Sequence, residues 1–144
     1  MANASDIMTR DPMTVASTTE PEEVLKLFLE KRLTAMPVVN PTGIVLGMLT
    51  ELILARVVIQ NRTQGKKSDK IGSSLSILIP PSFVSKDASL VEVVKAMALS
   101  PTQRVLVQDP TGKLVGAISP KDILNLLGEV KPAAAAAAAA TPTV

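Results

Sequence analysis

The sequence contains no cysteine and no histidine. Their absence excludes disulfides, thiolate nucleophiles, zinc sites built on these residues, and the side chain best suited to proton transfer near neutral pH. Most hydrolase and metalloenzyme classes are therefore excluded, and we predict no enzymatic activity, no catalytic residues and no bound metal. A chain without cysteine also fits a reducing compartment, so the cytoplasm is the expected location.

Aromatic residues are nearly absent too, since the chain has two phenylalanines and neither tryptophan nor tyrosine. The core must then be built from Val, Leu, Ile, Met and Ala. Proteins that bind nucleic acid neutralise phosphates with a strongly basic surface, and single-strand binders stack bases on aromatic rings. With a net charge of +2 and so few rings, this chain is not expected to bind nucleic acid.

A long uninterrupted hydrophobic run is also missing. The most apolar stretch, Ile44 to Ile59, is broken by Thr50, Glu51 and Arg56. It is shorter than the ~20 apolar residues that a membrane-spanning helix needs. The first residues lack the basic start and apolar run of a secretory signal. We therefore expect neither a membrane span nor a membrane partner.

What the sequence does contain is an internal repeat with an offset of 69 residues. Without any gap, Asn40-Pro41-Thr42-Gly43 aligns with Asp109-Pro110-Thr111-Gly112. The same offset aligns further pairs along both copies: Pro12 with Pro81, Val15 with Val84, Glu23 with Glu92, Lys26 with Lys95, Val38 with Val107 and Gly47 with Gly116. Such agreement indicates two copies of one structural unit.

Each copy carries the same order of secondary-structure signals, β-α-β-β-α. An extended segment precedes a helix whose apolar residues recur at i, i+3 and i+4, and Pro21 suits the first turn of the first such helix. Two apolar strands follow, joined by a Pro-Thr-Gly turn in which Gly supplies a positive φ. The strands and closing helices are predicted at Met36–Val39, Ile44–Leu49 and Glu51–Gln60, and at Val105–Val107, Leu114–Ile118 and Pro120–Leu127.

These elements predict one module from two repeats. A chain of 144 residues can form one sizeable core, and a single unit exposes too much apolar surface to stand alone. We predict an α/β (α+β) fold in which two β-α-β-β-α repeats with pseudo-two-fold symmetry pack together. The predicted boundaries are residues 1–60 for repeat 1, 61–73 for a polar linker and 74–130 for repeat 2. Residues 131–144 form an alanine-rich, low-complexity tail that we expect to be disordered.

The order of elements resembles a pair of CBS (cystathionine β-synthase type) domains, also called a Bateman module. The residues that carry the resemblance flank the turns, Ala35-Met36-Pro37-Val38-Val39-Asn40 before one and Gly112-Lys113-Leu114-Val115-Gly116 after the other. In addition, Ile7-Met8-Thr9 looks like the Val-Met-Thr opening common in that family. The resemblance covers about Ile7 to Leu127. It implies an adenosine-containing ligand, AMP, ADP, ATP or S-adenosylmethionine, in clefts between the repeats.

The ligand signature of that family lies where the last strand meets the last helix, as Gly, two residues, Ser or Thr, two residues, and Asp. Repeat 2 carries it in full as Gly116-Ala117-Ile118-Ser119-Pro120-Lys121-Asp122. A carboxylate such as that of Asp122 accepts two hydrogen bonds from a ribose diol. The Ser119 hydroxyl and the free amides of the helix start suit a phosphate, and Lys121 adds positive charge.

The resemblance also implies a position for the base and a difference between the repeats. By position, the base would lie against the backbone of Ser82, Val84, Arg104 and Val105. Repeat 2 has Leu106 where the family usually has a proline. In repeat 1, Ile53 stands at the Asp position, and an isoleucine cannot hold a diol. We expect one competent adenosine site, built around repeat 2.

Simpler interpretations of the same residues stay open. The run from Ser119 to Asp122 is also a good helix start, with Ser at the N-cap, Pro at the first position and an acid at the third. Arg104 and Lys121 also fit ordinary surface charges, and Ile53 fits core packing.

Two functions of different classes are therefore hypotheses. The first is an energy- or metabolite-sensing module that binds an adenine nucleotide and modulates an unidentified partner protein. The alternative is a structural dimerisation or adaptor module with a vestigial nucleotide site. The helix around Ile53 is apolar almost all round. This pattern indicates a partner surface, and a symmetric homodimer through the repeat helices is the expected solution.

Overall fold

The structure, a computed structural model, describes residues 2–65, 70–71 and 77–129. The predicted tail and part of the predicted linker lie outside these ranges. No helix within them is both long and apolar enough to cross a membrane. The described elements, in chain order, are α1 (Ala4–Ile7), β1 (Thr9–Arg10), β2 (Val15–Ala16), α2 (Pro21–Lys31), β3 (Ala35–Val39), β4 (Val45–Thr50), α3 (Glu51–Gln64), β5 (Phe83–Ser85), α4 (Leu90–Leu99), β6 (Val105–Gln108), β7 (Leu114–Ile118) and α5 (Pro120–Glu129).

The first half of the molecule contains β2, α2, β3, β4 and α3. Strand β2 pairs with β3 in parallel, and β3 pairs with β4 antiparallel. Pro21 occupies the first turn of α2, as predicted, because a helix leaves its first N–H groups unpaired and tolerates their loss. Val24 and Phe28 form the buried face of α2. The helix ends at Arg32, whose φ is +53° and whose N–H donates to the carbonyl of Phe28.

The second half repeats this order with β5, α4, β6, β7 and α5. Strand β5 is parallel to β6, and β6 is antiparallel to β7. Ser89 caps α4 by accepting a hydrogen bond from the N–H of Glu92. The predicted β-α-β-β-α order is therefore confirmed in both halves.

The two predicted hairpin turns have the same geometry. Gly43 and Gly112 have φ values of +89° and +86°, a region that glycine enters without steric cost. In each turn a side-chain oxygen, from Asn40 or Asp109, accepts the N–H groups two and four residues further along, at 2.9 to 3.0 Å. The sequence identity of the turns thus reflects a shared hydrogen-bonding pattern.

The segment that precedes each half packs on the other half. Strand β1 lies antiparallel to β7, so the second sheet has the order β1-β7-β6-β5. Ala4 is fully buried there, and its N–H donates to the carbonyl of Ala88. In the same way Ile79 pairs with Met48 on β4, and Ile71 is fully buried in the first half. Because of this exchange, neither half completes its core alone.

Each half has its own apolar cluster, built mainly from aliphatic residues and methionine as the composition requires. The first includes Val24, Phe28, Met36, Leu49, Ile53, Ile71 and Leu78. The second includes Ala4, Val93, Met97, Val105, Val107 and Ile118. Ile71 and Leu78 precede the second half in the chain and Ala4 precedes the first, so both clusters depend on the exchanged segments.

Helix α3 continues beyond Gln60, where its apolar pattern ends, so the start of the predicted linker is helical. Its last turn is held from outside, because Arg62 donates two hydrogen bonds to the Glu22 carboxylate of α2, at 2.9 and 2.7 Å. Gly65, with φ +70°, then ends the helix. A polar turn held by an ion pair gives no hydrophobic periodicity, which is why the sequence did not indicate it.

Candidate functional site

A cavity of about 410 Å³ opens between the two halves. The almost fully buried part of its lining is apolar and comes from four strands: Met36, Met48, Leu106 and Ile118. Its polar and charged lining residues are Thr9, Arg32, Thr34, Arg104, Ser119 and Asp122. Since both halves contribute, the cavity exists only when they are packed together.

Ser119 and Asp122 lie where β7 leads into α5. The Ser119 N–H donates to Oδ2 of Asp122 at 2.8 Å, and the Ser119 hydroxyl lies 3.3 Å from the same oxygen. This is one half of a capping box, so the helix-start interpretation is satisfied. The other carboxylate oxygen, Oδ1, accepts no hydrogen bond from the described residues. One oxygen therefore caps the helix while the other is available to a ligand.

Two arginines line the cavity from opposite halves. Arg104 precedes β6, and its carbonyl accepts a hydrogen bond from the buried hydroxyl of Ser100 at 2.8 Å. Arg32 is held by the left-handed cap that ends α2. Neither guanidinium forms an ion pair with another described residue. The backbone of each arginine is thus anchored while its charge is uncompensated.

The other four predicted residues lie outside the lining of this cavity. Lys121 is exposed on the first turn of α5. Val105 has no exposed surface, and Val84 packs against the same apolar cluster. The Ser82 carbonyl accepts the N–H of Leu106 at 2.8 Å, a bond that a proline at that position could not donate. Backbone contacts between these residues and a base stay a prediction.

The equivalent position in the first half has a different chemistry. The Thr50 hydroxyl accepts a hydrogen bond from the N–H of Ile53 at 3.3 Å and caps α3. The Ile53 side chain is 8% exposed and packs in the first apolar cluster. The position equivalent to Asp122 therefore holds no carboxylate, in agreement with the interpretation of Ile53 as a core residue.

The wall contributed by the first half was missed by sequence reasoning. It consists of the segment from Arg32 to Pro37 together with Met48 of β4. One signal was present, because the repeat offset aligns Ala35 with Arg104. In a pseudo-symmetric pair, equivalent segments approach the same axis, so the segment before β3 faces the segment before β6. The leading segment adds Thr9, Pro12 and Met13.

A second cavity, of about 670 Å³, lies near the two hairpin turns. Although it is larger, two of its polar residues, Thr42 and Thr111, serve the turns themselves. The hydroxyls of Thr42 and Thr111 donate to Asn40 and Asp109, the acceptors that hold the turns. The smaller cavity is the better candidate site, because Ser119 and Asp122 of the predicted ligand signature line it together with four almost fully buried apolar residues.

Two α/β repeats that exchange their leading segments and enclose a cleft define a class of paired binding modules. The family model described as the CBS domain matches residues 4–59 and 76–129, so the chain belongs to the CBS domain family. The resemblance inferred from the turns and the ligand signature is therefore confirmed. The fold class is confirmed too, by the agreement with solved CBS-pair structures.

Among curated relatives, the chain is 30% identical over 122 residues to 5′-AMP-activated protein kinase subunit gamma-3 of Homo sapiens, covering 82% of this chain and 25% of the relative. The chain spans 62%, 24% and 25% of the lengths of the three relatives compared. These relatives are thus longer proteins that contain a similar module.

Two solved structures illustrate the shared fold. The first is CBSX2, a CBS-pair protein from Arabidopsis thaliana, in complex with AMP. It has a TM-score of 0.74 at 20% identity, over 92% of this chain and 100% of that chain. The second is the CBS domain pair of protein MJ0100 in complex with 5′-methylthioadenosine and S-adenosyl-L-methionine, with a TM-score of 0.70 at 22% identity, over 91% and 99%.

Proposed function

We propose that the chain is a regulatory module that binds one adenine nucleotide in the cavity between its halves. The observation that carries the proposal is the Asp122 carboxylate, whose Oδ1 has no hydrogen-bond donor among the described residues at the edge of a cavity. A partly buried charged acceptor without a partner is costly, and a vicinal diol supplies the missing donors.

The remaining lining suits the rest of an adenosine ligand. The buried surface formed by Met36, Met48, Leu106 and Ile118 is apolar and of a size to cover a flat base. Ser119 and the positive end of α5 favour a phosphate next to the ribose. The AMP-bound and S-adenosylmethionine-bound neighbours both support an adenosine ligand, and the AMP complex and the name of the kinase gamma subunit support one with a phosphate.

The proposed role is regulatory and not catalytic. The chain has neither cysteine nor histidine, and Asp122 is the single carboxyl group among the described residues that line the cavity. A ligand that contacts both halves stabilises one arrangement of them over another, and it thereby changes the surface offered to a partner protein. The relatives are longer than this chain, so the regulated partner is a domain or a protein outside it.

Thermal unfolding of the chain with AMP, ADP, ATP or S-adenosylmethionine tests the proposal. A ligand that binds the native state at about 100 times its dissociation constant adds about 2.7 kcal/mol to the free energy of unfolding and raises the melting temperature. An unchanged melting temperature with all four at millimolar concentration contradicts the proposal and favours the alternative function.

The alternative, a dimerisation or adaptor module, is supported by an exposed apolar surface. Helix α5 contributes no buried residue, and Leu124 and Leu127 are 62% and 55% exposed. Val94 of α4 is 48% exposed and lines the same shallow cavity as Leu124. We propose a homodimer through this surface, which is compatible with nucleotide binding because the cavity lies between the halves.

A further inference from the structure

Methionine is the one sulfur-containing residue type in this chain, which has six methionines and no cysteine. Among the described methionines, Met36, Met48 and Met97 are 1%, 4% and 6% exposed. Met8 is half-buried. Met13 differs from all of these, because it is 45% exposed. Oxidation of the described sulfurs by a dissolved reagent should therefore begin at Met13.

Met13 also lines the cavity between the halves, on the segment that joins β1 to β2. Strand β1 pairs with the second half and β2 with the first, so this segment crosses from one half to the other. The same lining includes the apolar and almost fully buried Met48 and Leu106. Met13 itself belongs to neither apolar cluster of the fold. A chemical change at its sulfur is thus expected to alter the cavity and to leave the core intact.

We infer that Met13 is a site of reversible oxidation that lowers the affinity of the cavity for an adenine nucleotide. The inference rests on the proposed function and adds a means of regulating that site. Hydrogen peroxide transfers one oxygen atom to the Met13 sulfur, so an S–O bond forms, the O–O bond breaks and water leaves. The thioether loses two electrons and the peroxide gains them. Two thiols, acting through a methionine sulfoxide reductase, return the sulfoxide to the thioether and yield a disulfide and water.

The effect on binding follows from the change in polarity. A thioether is a soft apolar group, whereas a sulfoxide is polar and accepts hydrogen bonds from water. A ligand that fills the cavity should cover the Met13 side chain and remove that water. Burial of a polar group without a hydrogen-bond partner is costly, so the oxidised chain should bind the nucleotide more weakly. By the same contact, a bound nucleotide should shield Met13 from peroxide.

Peptide mapping of the full chain after peroxide treatment tests the site of oxidation. Cleavage after Arg10 and Lys26 places Met13 alone on a peptide of residues 11–26, apart from Met1 and Met8. Met13 should gain an oxygen atom faster than Met8. Saturating AMP should slow the reaction at Met13 and leave the rate at Met8 unchanged, because Met8 does not line the cavity.

Titration calorimetry with AMP tests the effect on binding. The oxidised chain should bind AMP about fivefold or more weakly than the untreated chain, and the reductase should restore the affinity. Met13→Gln, with a polar side chain of similar length, should bind weakly without peroxide. Met13→Leu should bind AMP equally before and after peroxide, whereas the matched control Met8→Leu should lose affinity as the wild type does. The melting temperature without AMP should not change on oxidation.

The outcomes separate this inference from the proposed function. If AMP does not bind the untreated chain, the proposed function fails and the inference fails with it. If AMP binds but Met8 is oxidised before Met13, or if the oxidised chain binds AMP as tightly as the untreated one, the regulation by oxidation is wrong while the nucleotide site stands. A loss of affinity in peroxide-treated Met13→Leu also overturns the inference, because the effect then belongs to another residue.

Discussion

At the scale of single residues, the two oxygens of Asp122 have different roles. Oδ2 accepts the N–H of Ser119 and completes the start of α5, whereas Oδ1 lies at the cavity without a described donor. Asparagine separates the roles, because its carbonyl oxygen still accepts the Ser119 N–H while its amide replaces the second acceptor.

Asp122→Asn should therefore leave stability nearly unchanged and weaken binding of an adenine nucleotide. The expected loss is ~1.5 to 3 kcal/mol, roughly ten to a few hundred times in affinity, because charge-assisted hydrogen bonds to the ribose disappear. Calorimetric titration and thermal unfolding measure the two effects. Glu92→Ala is the control, since Glu92 holds the same position in the Ser89 cap of α4 outside the cavity. Unchanged nucleotide affinity in Asp122→Asn would falsify the site assignment.

Asp109 is a residue whose charge is linked to the hairpin turn. The hydroxyl of Thr111 and then the N–H of Lys113 donate to its carboxylate and hold the pKa of Asp109 below its ordinary value. A carboxyl whose pKa is lower in the folded chain stabilises the fold above its unfolded pKa, and this stabilisation is lost as the pH falls through the folded pKa. The matching turn has Asn40, which does not titrate.

Asp109→Asn should thus reduce the acid sensitivity of the fold. We expect the free energy of unfolding to be similar in both proteins at neutral pH, and to fall less steeply for the variant below about pH 4. Urea unfolding at a series of pH values measures this slope. The reciprocal variant Asn40→Asp should make the free energy of unfolding fall more steeply with decreasing pH. If this dependence on pH is the same in all three proteins, protonation of the turn residue does not affect stability.

The sequence could predict those site residues that belong to a local motif, and it could not predict the others. Ser119 and Asp122 are three residues apart at one helix start, and Arg104 lies one residue before a predicted strand, so all three could be placed. Arg32 could not, because its approach to the cavity depends on the packing of one half against the other. Nothing local distinguishes it from the exposed charges of α2.

At the scale of elements, two equivalent glycines, Gly116 on β7 and Gly47 on β4, allow a leading segment to lie close against each sheet. A side-chain carbon added at Gly116 would lie against the Met8 side chain, including its Cβ at 2.9 Å. At the equivalent Gly47 an added carbon would lie 2.7 Å from the Cβ of Leu78. Both leading segments therefore cross the opposite sheet over a glycine, and a Cβ there would displace them.

Gly116→Ala should destabilise the fold by ~1 to 3 kcal/mol, as overpacking in a tight contact does. Hydrogen exchange should show the loss first in residues 8–10, which lie over Gly116 or pair with β7. Gly128→Ala is the opposite control, because Gly128 lies in α5 with open space around it; alanine there should stabilise the helix by about 0.5 to 1 kcal/mol. A stabilising effect of Gly116→Ala would mean that the leading segment is not packed over β7.

The sequence did not predict that the leading segments are exchanged, although it did predict the helices and strands of the two repeats. Helices and strands of the repeats have apolar periodicity and turn residues, which are local signals. Strand β1 has two residues, both exposed, so it has no periodicity and no burial pattern. Its partner is decided by the fit of Met8 over Gly116, a contact between residues far apart in the chain.

At the scale of the whole molecule, the exposed apolar surface indicates how copies associate. The sequence placed this surface on α3, which is apolar almost all round. In the structure, four residues of α3 are buried within the chain, Ile53, Leu54, Val57 and Val58, whereas Leu52 and Ile59 stay 65% and 62% exposed. Helix α5, which has no buried residue, leaves Leu124 and Leu127 exposed beside α4. An apolar surface shared by two helices is typical of an interface.

We therefore predict a dimer through α4 and α5, with a mass of about twice the 15.1 kDa of the chain in sedimentation at tens of micromolar. The double variant Leu124→Gln and Leu127→Gln should be monomeric and as stable as the isolated wild-type chain, because neither side chain is part of its core. The matched control is Leu29→Gln, since Leu29 is 71% exposed on α2 among charged neighbours. This control should stay dimeric. A monomeric wild type would contradict the predicted dimer, and a dimer that survives the double change would place the contact elsewhere. If the double variant is monomeric, nucleotide titration of it shows whether binding needs the dimer.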